Sequence, residues 1–280
     1  LPIYDIRADH HIALTPFPWD MQQPFLQQAT WSPSGSSIIM VHENNIYFKA
    51  RPDDARVINI TQTGRMGEVY NGIPDNIYRA QILQSDKTIW FSPDGKRLLY
   101  ASINITALKG FHVPVYGESL EHNWQYPRVE AIRIAKPGQN IPSVRLYVYD
   151  LSIGQGIKVK SPVGMNDNDL YFTAVTWVDN DQISITWMNR VQNLSMVTLC
   201  VKPMWFCTDI YTELTFDSTS VDLFEPPTFS LDGSSYLLLK KFPFERGKFN
   251  QIAWGSVSLN SVLLLTNGSF DVFKIDRKSV

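Results

Sequence analysis

Four stretches of the chain share a pattern that few folds can accommodate: an aromatic residue, a polar turn, then an alternating apolar strand. They are "WSPSGSSIIMV" from Trp31, "FSPDGKRLLYA" from Phe91, "WVDNDQISITW" from Trp177 and "FSLDGSSYLLL" from Phe229. In three of them Gly35, Gly95 and Gly233 stand at one offset from the aromatic. A hairpin turn calls for a residue with φ > 0 at such a position. Asp181 occupies that offset in the remaining copy. A second strand–turn–strand element follows each copy or precedes the first: "IYDIRADHHIALTP", "IYFKARPDDARVINIT", "LYVYDLSIGQGIKV", "VTLCVKPMWFCTDIYT" and "IAWGSVSLNSVLLLT".

The unit is therefore two antiparallel hairpins, four strands in about 50 residues, a repeat that marks a β-propeller. One such sheet cannot bury both faces alone, so neighbours stack around an axis. A β-sandwich of unrelated hairpins also places turns every 8–12 residues or so, but it does not demand a fixed aromatic-to-glycine offset. The expected fold is all-β, a partial β-propeller of four-stranded antiparallel blades over residues 1–280. Roughly four blades are expected, with the outer half of another before them and the start of another after. Trp31, Trp90, Trp177 and Trp187 are expected in blade cores. Between Ile103 and Leu146, Pro, Gly and His residues interrupt any strand pattern, which reads as an extended insertion or rim loop.

Composition narrows the function. Hydrophobic residues make up 44% and charged residues 19% of the 280, a globular balance. A net charge of −2 gives no electrostatic reason to expect nucleic acid. No apolar run approaches the roughly 18 residues of a membrane-spanning helix. The ends, "LPIYDIRADHH" and "DVFKIDRKSV", read as cuts inside a longer protein. Cys200 and Cys207 are not spaced as CxxC and have no histidine nearby, which argues against a metal site. A disulfide closing a hairpin with Pro203 at its turn fits better, with two free buried thiols as the alternative. Sequons stand at Asn59, Asn104, Asn193 and Asn267. With a disulfide they would suggest an oxidising, extracytoplasmic compartment. His10, His11, His42, His112 and His122 lack a Ser/Asp pattern and read as structural or surface residues.

Several segments, in order, resemble the N-terminal propeller of the dipeptidyl peptidase IV family. They are "ATWSPSGSSIIMVHENNIYFK", "YNGIPDNIY", "WFSPDGKRLLYASINIT", "QYPRVEAIRIAKPGQNIPSVRLYV", "VTWVDNDQISITWMNRVQNLS" and "FSLDGSSYLLL". The resemblance implies a type II membrane serine exopeptidase, with an eight-bladed propeller followed by an α/β-hydrolase domain. That domain is absent from this chain: no G-x-S-x-G occurs, so no catalytic residue is expected here. No cofactor and no metal are expected. Asn104, Asn193 and the Cys200–Cys207 pair match family positions of a structural kind.

In active members of that family the loop after "YNGIP" reads Asp-Trp-Val-Tyr-Glu-Glu-Glu. Its glutamates hold the substrate's free ammonium, and charge-assisted hydrogen bonds of this kind are worth roughly 1.5–3 kcal/mol. Here the matching residues are Asp75, Asn76, Ile77, Tyr78, Arg79, Ala80 and Gln81. Asp75 can cap a short helix and Tyr78 can anchor it. Ala80 accepts no hydrogen bond through its side chain, Gln81 carries no charge, and Arg79 repels an ammonium. Glu68 and Asp86 are the neighbouring carboxylates that could substitute. Three readings follow. The first is a weakly active or non-catalytic ectodomain that binds a protein or peptide and dimerises in its full-length form. The second is an active serine peptidase with altered amine recognition, and the third a secreted scaffold. The expected place is the extracellular side of the plasma membrane, or outside the cell.

Overall fold

In the computed structural model the described residues are 2–6, 9–17, 24–116, 126–216 and 220–276. Strand β1 (Pro2–Asp5) pairs with β2 (His10–Ala13) as a two-stranded sheet. The first larger sheet follows, with β3 (Gln28–Trp31), β4 (Ile38–His42), β5 (Asn45–Lys49) and β6 (Ile58–Asn59) in sequence order. The second comprises β7 (Val69–Asn71), β8 (Ile89–Phe91), β9 (Arg97–Asn104), β12 (Ser143–Asp150) and β13 (Gln155–Val159). Between β9 and β12, strands β10 (Gly110–Val115) and β11 (Arg128–Arg133) form a separate hairpin. The third sheet holds β14 (Leu170–Trp177), β15 (Gln182–Asn189), β16 (Leu194–Val201) and β17 (Phe206–Leu214). The fourth holds β18 (Thr228–Phe229), β19 (Ser235–Phe244), β20 (Gly247–Ser256) and β21 (Val262–Leu264).

Every neighbouring pair is antiparallel, as the hairpin repeat requires. In the second and third sheets both faces of a strand are buried, because each packs between two others. In β9, Leu98 and Tyr100 join Ile39, Val41 and Phe48 of the first sheet. The alternate residues Leu99, Ala101 and Ile103 join Phe172, Ile183 and Trp187 of the third. That split follows from the two-residue side-chain period of a strand. A further core of Val197, Tyr211, Phe229 and Tyr236 lies between the third and fourth sheets.

The repeated turns also meet from sheet to sheet. Gly35, Gly95 and Gly233 have φ of 71°, 69° and 67°. Each turn closes through the serine after the aromatic: Ser32, Ser92 and Ser230 accept the backbone N–H of Ser37, Arg97 and Ser235 on Oγ. A Cβ added at Gly233 would lie 3.2 Å from Val178 Cγ1, on the preceding repeat's turn. Arg97 bridges the second and third sheets, donating to the Asn180 carbonyl at 2.8 Å and to Asp181 at 3.1 Å.

Three sequence expectations need correction. Asp181 does not replace a turn glycine: Trp177 pairs with Ile183, six residues on, whereas Phe91 pairs with Leu98, seven on. That turn is one residue shorter and needs no left-handed residue at Asp181. Trp31 is 45% exposed, whereas Trp187 is 2% exposed. The repeat's aromatic faces the preceding sheet, and on that side Trp31 has only the two-stranded β1–β2 pair. The Ile103–Leu146 insertion is not strandless, since β10 and β11 run through Pro114 and His112. Among the described residues no strand follows β21, so the start of another repeat is not seen there. His122 lies outside the described residues.

Candidate functional site

The Asp75–Gln81 segment lies in an excursion from the first strand of the second sheet. β7 pairs with Ser102–Asn104 and β8 with Leu98–Tyr100, both on β9. Residues 72–88 leave and rejoin the ladder at one point. Gly72 N–H donates to the Ala101 carbonyl at 3.0 Å, and Ala101 N–H donates to the Thr88 carbonyl at 3.0 Å. Gly72 has φ 77°, and a Cβ there would meet Ile89 Cδ1 at 2.6 Å, so only glycine fits this exit. Asn44, fully buried in the β4–β5 turn, fastens the base from the first sheet. Its carbonyl accepts from Asn71 Nδ2 at 3.0 Å, and its Nδ2 donates to the Arg65 and Val69 carbonyls at 2.9 and 3.0 Å. The sequence reading passed over Asn44. The one signal that could have found it is the adjacent Asn pair in "HENNIY", in a tight hairpin.

Asp75 is 6% exposed and begins a short helical run that becomes a π-turn over Tyr78–Ile82. Its carboxylate accepts the N–H of Tyr78 at 3.2 Å and of Ile77 at 3.4 Å. Burial raises its pKa above the ordinary carboxylate range, against the pull of those amides and of Arg79. The π-turn closes where Leu83 N–H donates to the Tyr78 carbonyl at 2.8 Å. Tyr78 is wholly buried and stacks on Phe172 at 4.9 Å between ring centroids. A β-bulge lies between Phe172 and Ala174 on β14, and Phe172 N–H donates to the Tyr78 hydroxyl at 3.3 Å. The excursion is thus anchored to three sheets before its next residues reach solvent.

Arg79, Ala80 and Gln81 are exposed. Arg79, Ala80, Gln84, Ser85 and Asp86 line an open cavity of about 450 Å³. Arg79 Nε lies 3.0 Å from Asp86 Oδ1, so that carboxylate is occupied. Glu68 pairs with Arg65 at 3.8 Å and Arg133 at 3.5 Å. The structure brings Asp75, Tyr78, Arg79, Ala80 and Gln81 onto one turn and places no free carboxylate from Glu68 or Asp86 beside it.

The remaining marked residues lie elsewhere. Cys200 and Cys207 face each other on β16 and β17 and are bonded. Their hairpin seats Trp205, 4% exposed, edge-on to Trp177 at 5.7 Å. Asn59 and Asn267 are exposed, and Asn104 and Asn193 half-buried. Asn104 Oδ1 accepts from the Thr106 hydroxyl at 2.7 Å. His42 meets the Phe25 carbonyl at 2.8 Å, a structural contact.

This arrangement of stacked antiparallel sheets has counterparts among known proteins. The sequence pattern described as "Dipeptidyl peptidase IV (DPP IV) N-terminal region" matches residues 1–279. The chain belongs to the dipeptidyl peptidase IV family. Among its relatives, "Inactive dipeptidyl peptidase 10" of Mus musculus is 33% identical over 98% of this chain and 34% of its own length. "Prolyl endopeptidase FAP" of Bos taurus is 31% identical over 98% of this chain and 36% of its own length. The crystal structure of Porphyromonas gingivalis dipeptidyl peptidase 4 superposes with a TM-score of 0.78 at 21% identity, covering 98% of this chain and 36% of that one. That likeness shows the fold: this is the propeller of a dipeptidyl peptidase IV family member. The chain spans about a third of the length of these relatives.

Proposed function

We propose that this propeller belongs to an ectodomain that has lost the clamp for peptide amino termini and serves chiefly in protein binding, with peptidase activity weak or absent. The observation that carries the reading is the anchored turn itself. Asp75 and Tyr78 hold the excursion rigidly, yet it offers Arg79, Ala80 and Gln81 to solvent, and Asp86 is tied to Arg79. A relative named as an inactive dipeptidyl peptidase supports the same reading. The full protein would add a C-terminal α/β-hydrolase domain, complete an eight-bladed ring and dimerise. It would stand outside the cell on a type II anchor, with glycans at Asn59, Asn104, Asn193 and Asn267. Other relatives are named "Prolyl endopeptidase FAP" and "Dipeptidyl peptidase 4". They favour a second reading, an active serine peptidase with altered amine recognition.

The test is turnover of an Xaa-Pro chromogenic substrate by the full ectodomain. Two lost charged contacts, at about 1.4 kcal/mol per tenfold, predict activity about 10²-fold or more below an active relative. Ala80→Glu with Gln81→Glu should restore part of it where the hydrolase domain keeps its serine. Wild-type turnover equal to that of an active relative would refute the lost clamp.

A further inference from the structure

Four Asn-Gly or Asp-Gly pairs occur in the chain, at 71–72, 94–95, 232–233 and 267–268. In such a pair the glycine nitrogen can attack the side-chain carbonyl carbon of the residue before it, because no Cβ shields that nitrogen. Three of the four nitrogens are occupied. Gly72 N–H donates to the Ala101 carbonyl at 3.0 Å, Gly95 N–H to that of Ser92 at 2.8 Å and Gly233 N–H to that of Ser230 at 3.0 Å. Asn71 is also 1% exposed, and its Nδ2 donates to the Asn44 carbonyl and the Thr63 hydroxyl at 3.0 and 3.2 Å. Asn267–Gly268 differs on both counts. Asn267 is exposed, and among the described residues the Gly268 N–H has no acceptor. What holds this segment is its carbonyl side. Gln251, fully buried on β20, donates from Nε2 to the Gly268 and Phe270 carbonyls at 3.1 and 2.6 Å. Its Oε1 has no partner among the described residues, so those two bonds satisfy all that Gln251 has satisfied.

We infer that Asn267 is a site of spontaneous deamidation and that its product loosens the segment from Gln251. The Gly268 nitrogen bonds to Asn267 Cγ, and the Cγ–Nδ2 bond breaks. Nδ2 leaves as ammonia with the proton from Gly268, and a cyclic imide remains. Water then opens the imide at one carbonyl or the other, giving aspartate or isoaspartate. Isoaspartate routes the main chain through the former side chain and lengthens it by a methylene, so the Gly268 carbonyl moves off Gln251. A buried amide that loses its partners is costly, which turns a change at the surface into a loss at β20. The reactive form is the bare sequon Asn267–Gly268–Ser269. A sugar on Nδ2 would remove the free amide and close the site.

The experiment incubates the folded full ectodomain at mildly alkaline pH, as wild type and as Ser269→Ala, and reads deamidation at each asparagine by peptide mass mapping. Ser269 is exposed, and its replacement removes the sequon while keeping the Asn-Gly pair. In Ser269→Ala, Asn267 should deamidate at least about tenfold faster than Asn71, the ratio set by a local opening cost of about 1.4 kcal/mol at Asn71. In urea the two rates should converge, since both asparagines then stand in open chain. Asn267→Gln, whose longer side chain closes a larger and slower ring, should suppress the signal. Amide exchange at Val272, which donates to the Asn250 carbonyl at 2.8 Å, should speed up in aged Ser269→Ala and not in aged Asn267→Gln. Equal rates at Asn71 and Asn267 in the folded protein, or a ratio that persists in urea, would overturn the proposal. An unchanged Val272 amide would overturn the loosening. If wild type reacts as Ser269→Ala does, the glycan proposed at Asn267 is absent and the deamidation site stands, so the two readings fail separately.

Discussion

The hydroxyl of Tyr78 is one oxygen on which the shape of the candidate site depends, and its removal has a calculable cost. Phe172 stands on the edge strand β14 beside its bulge, and the Tyr78 hydroxyl accepts its N–H at 3.3 Å in a fully buried setting. Tyr78→Phe keeps the stacked ring but orphans that N–H. A buried donor left unsatisfied costs about 1–3 kcal/mol. Tyr78→Ala also empties the space beside Phe172, which adds about 3–5 kcal/mol for an aromatic-to-alanine change in a core. The excursion is joined to the ladder only at its base, so the loss should appear as local opening before global unfolding. Hydrogen exchange of the Ile77–Leu83 amides in the folded ectodomain reads this directly. Tyr78→Phe should speed exchange there by about 5- to 150-fold, the range that 1–3 kcal/mol spans. Amides of β16, far from Tyr78 in the third sheet, should not change. Unaltered exchange at Ile77–Leu83 in Tyr78→Phe would refute the argument. It would mean that Phe172 N–H finds another acceptor and that stacking alone fixes the turn. Burial keeps the Tyr78 pKa well above its ordinary value, so the hydroxyl stays neutral and this effect should be flat from acid to mildly alkaline pH.

Three further outcomes follow from the same geometry. Asp75 has a folded-state pKa raised by burial. Its contribution is therefore full below the unfolded value of about 3.9 and falls as pH rises through the folded value. Asp75→Asn, which keeps a capping oxygen, should raise the melting temperature relative to wild type at pH 7 more than at pH 3, and the opposite order would contradict the burial argument. Gly233→Ala should cost more in a denaturant titration than Gly35→Ala. Both carry the left-handed penalty of about 1–2 kcal/mol, but only Gly233 also faces Val178, at 3.2 Å, while nothing lies within 4 Å at Gly35. Replacing Cys200 and Cys207 with alanine should cost about 2–3 kcal/mol for so short a loop. It should also shift tryptophan emission as Trp205 loosens from Trp177, and an unchanged melt and spectrum would remove the hairpin from the list of stabilising features.

The repeat was legible because it is local chemistry. A serine beside a strand-ending aromatic and a glycine four residues beyond it close a turn by themselves, and alternating apolar residues state which faces are covered. Gly35, Gly95 and Gly233 and the repeated hairpin units could be named from that information, and the Asp75–Gln81 turn from the family resemblance. The shortened turn at Asp181 and the exposed Trp31 could not. One depends on a single-residue difference in strand pairing, and the other on what the preceding sheet can cover. Nor did the sequence reveal Asn44, whose partners Gln27, Arg65, Val69 and Asn71 all lie 17 or more residues away in the chain. The sequence by itself determined the hairpin unit, the family and the residues Arg79, Ala80 and Gln81 that the turn carries. Only the tertiary structure decided that the altered turn is still held in place, because its anchors, Phe172 and Asn44, come from other sheets.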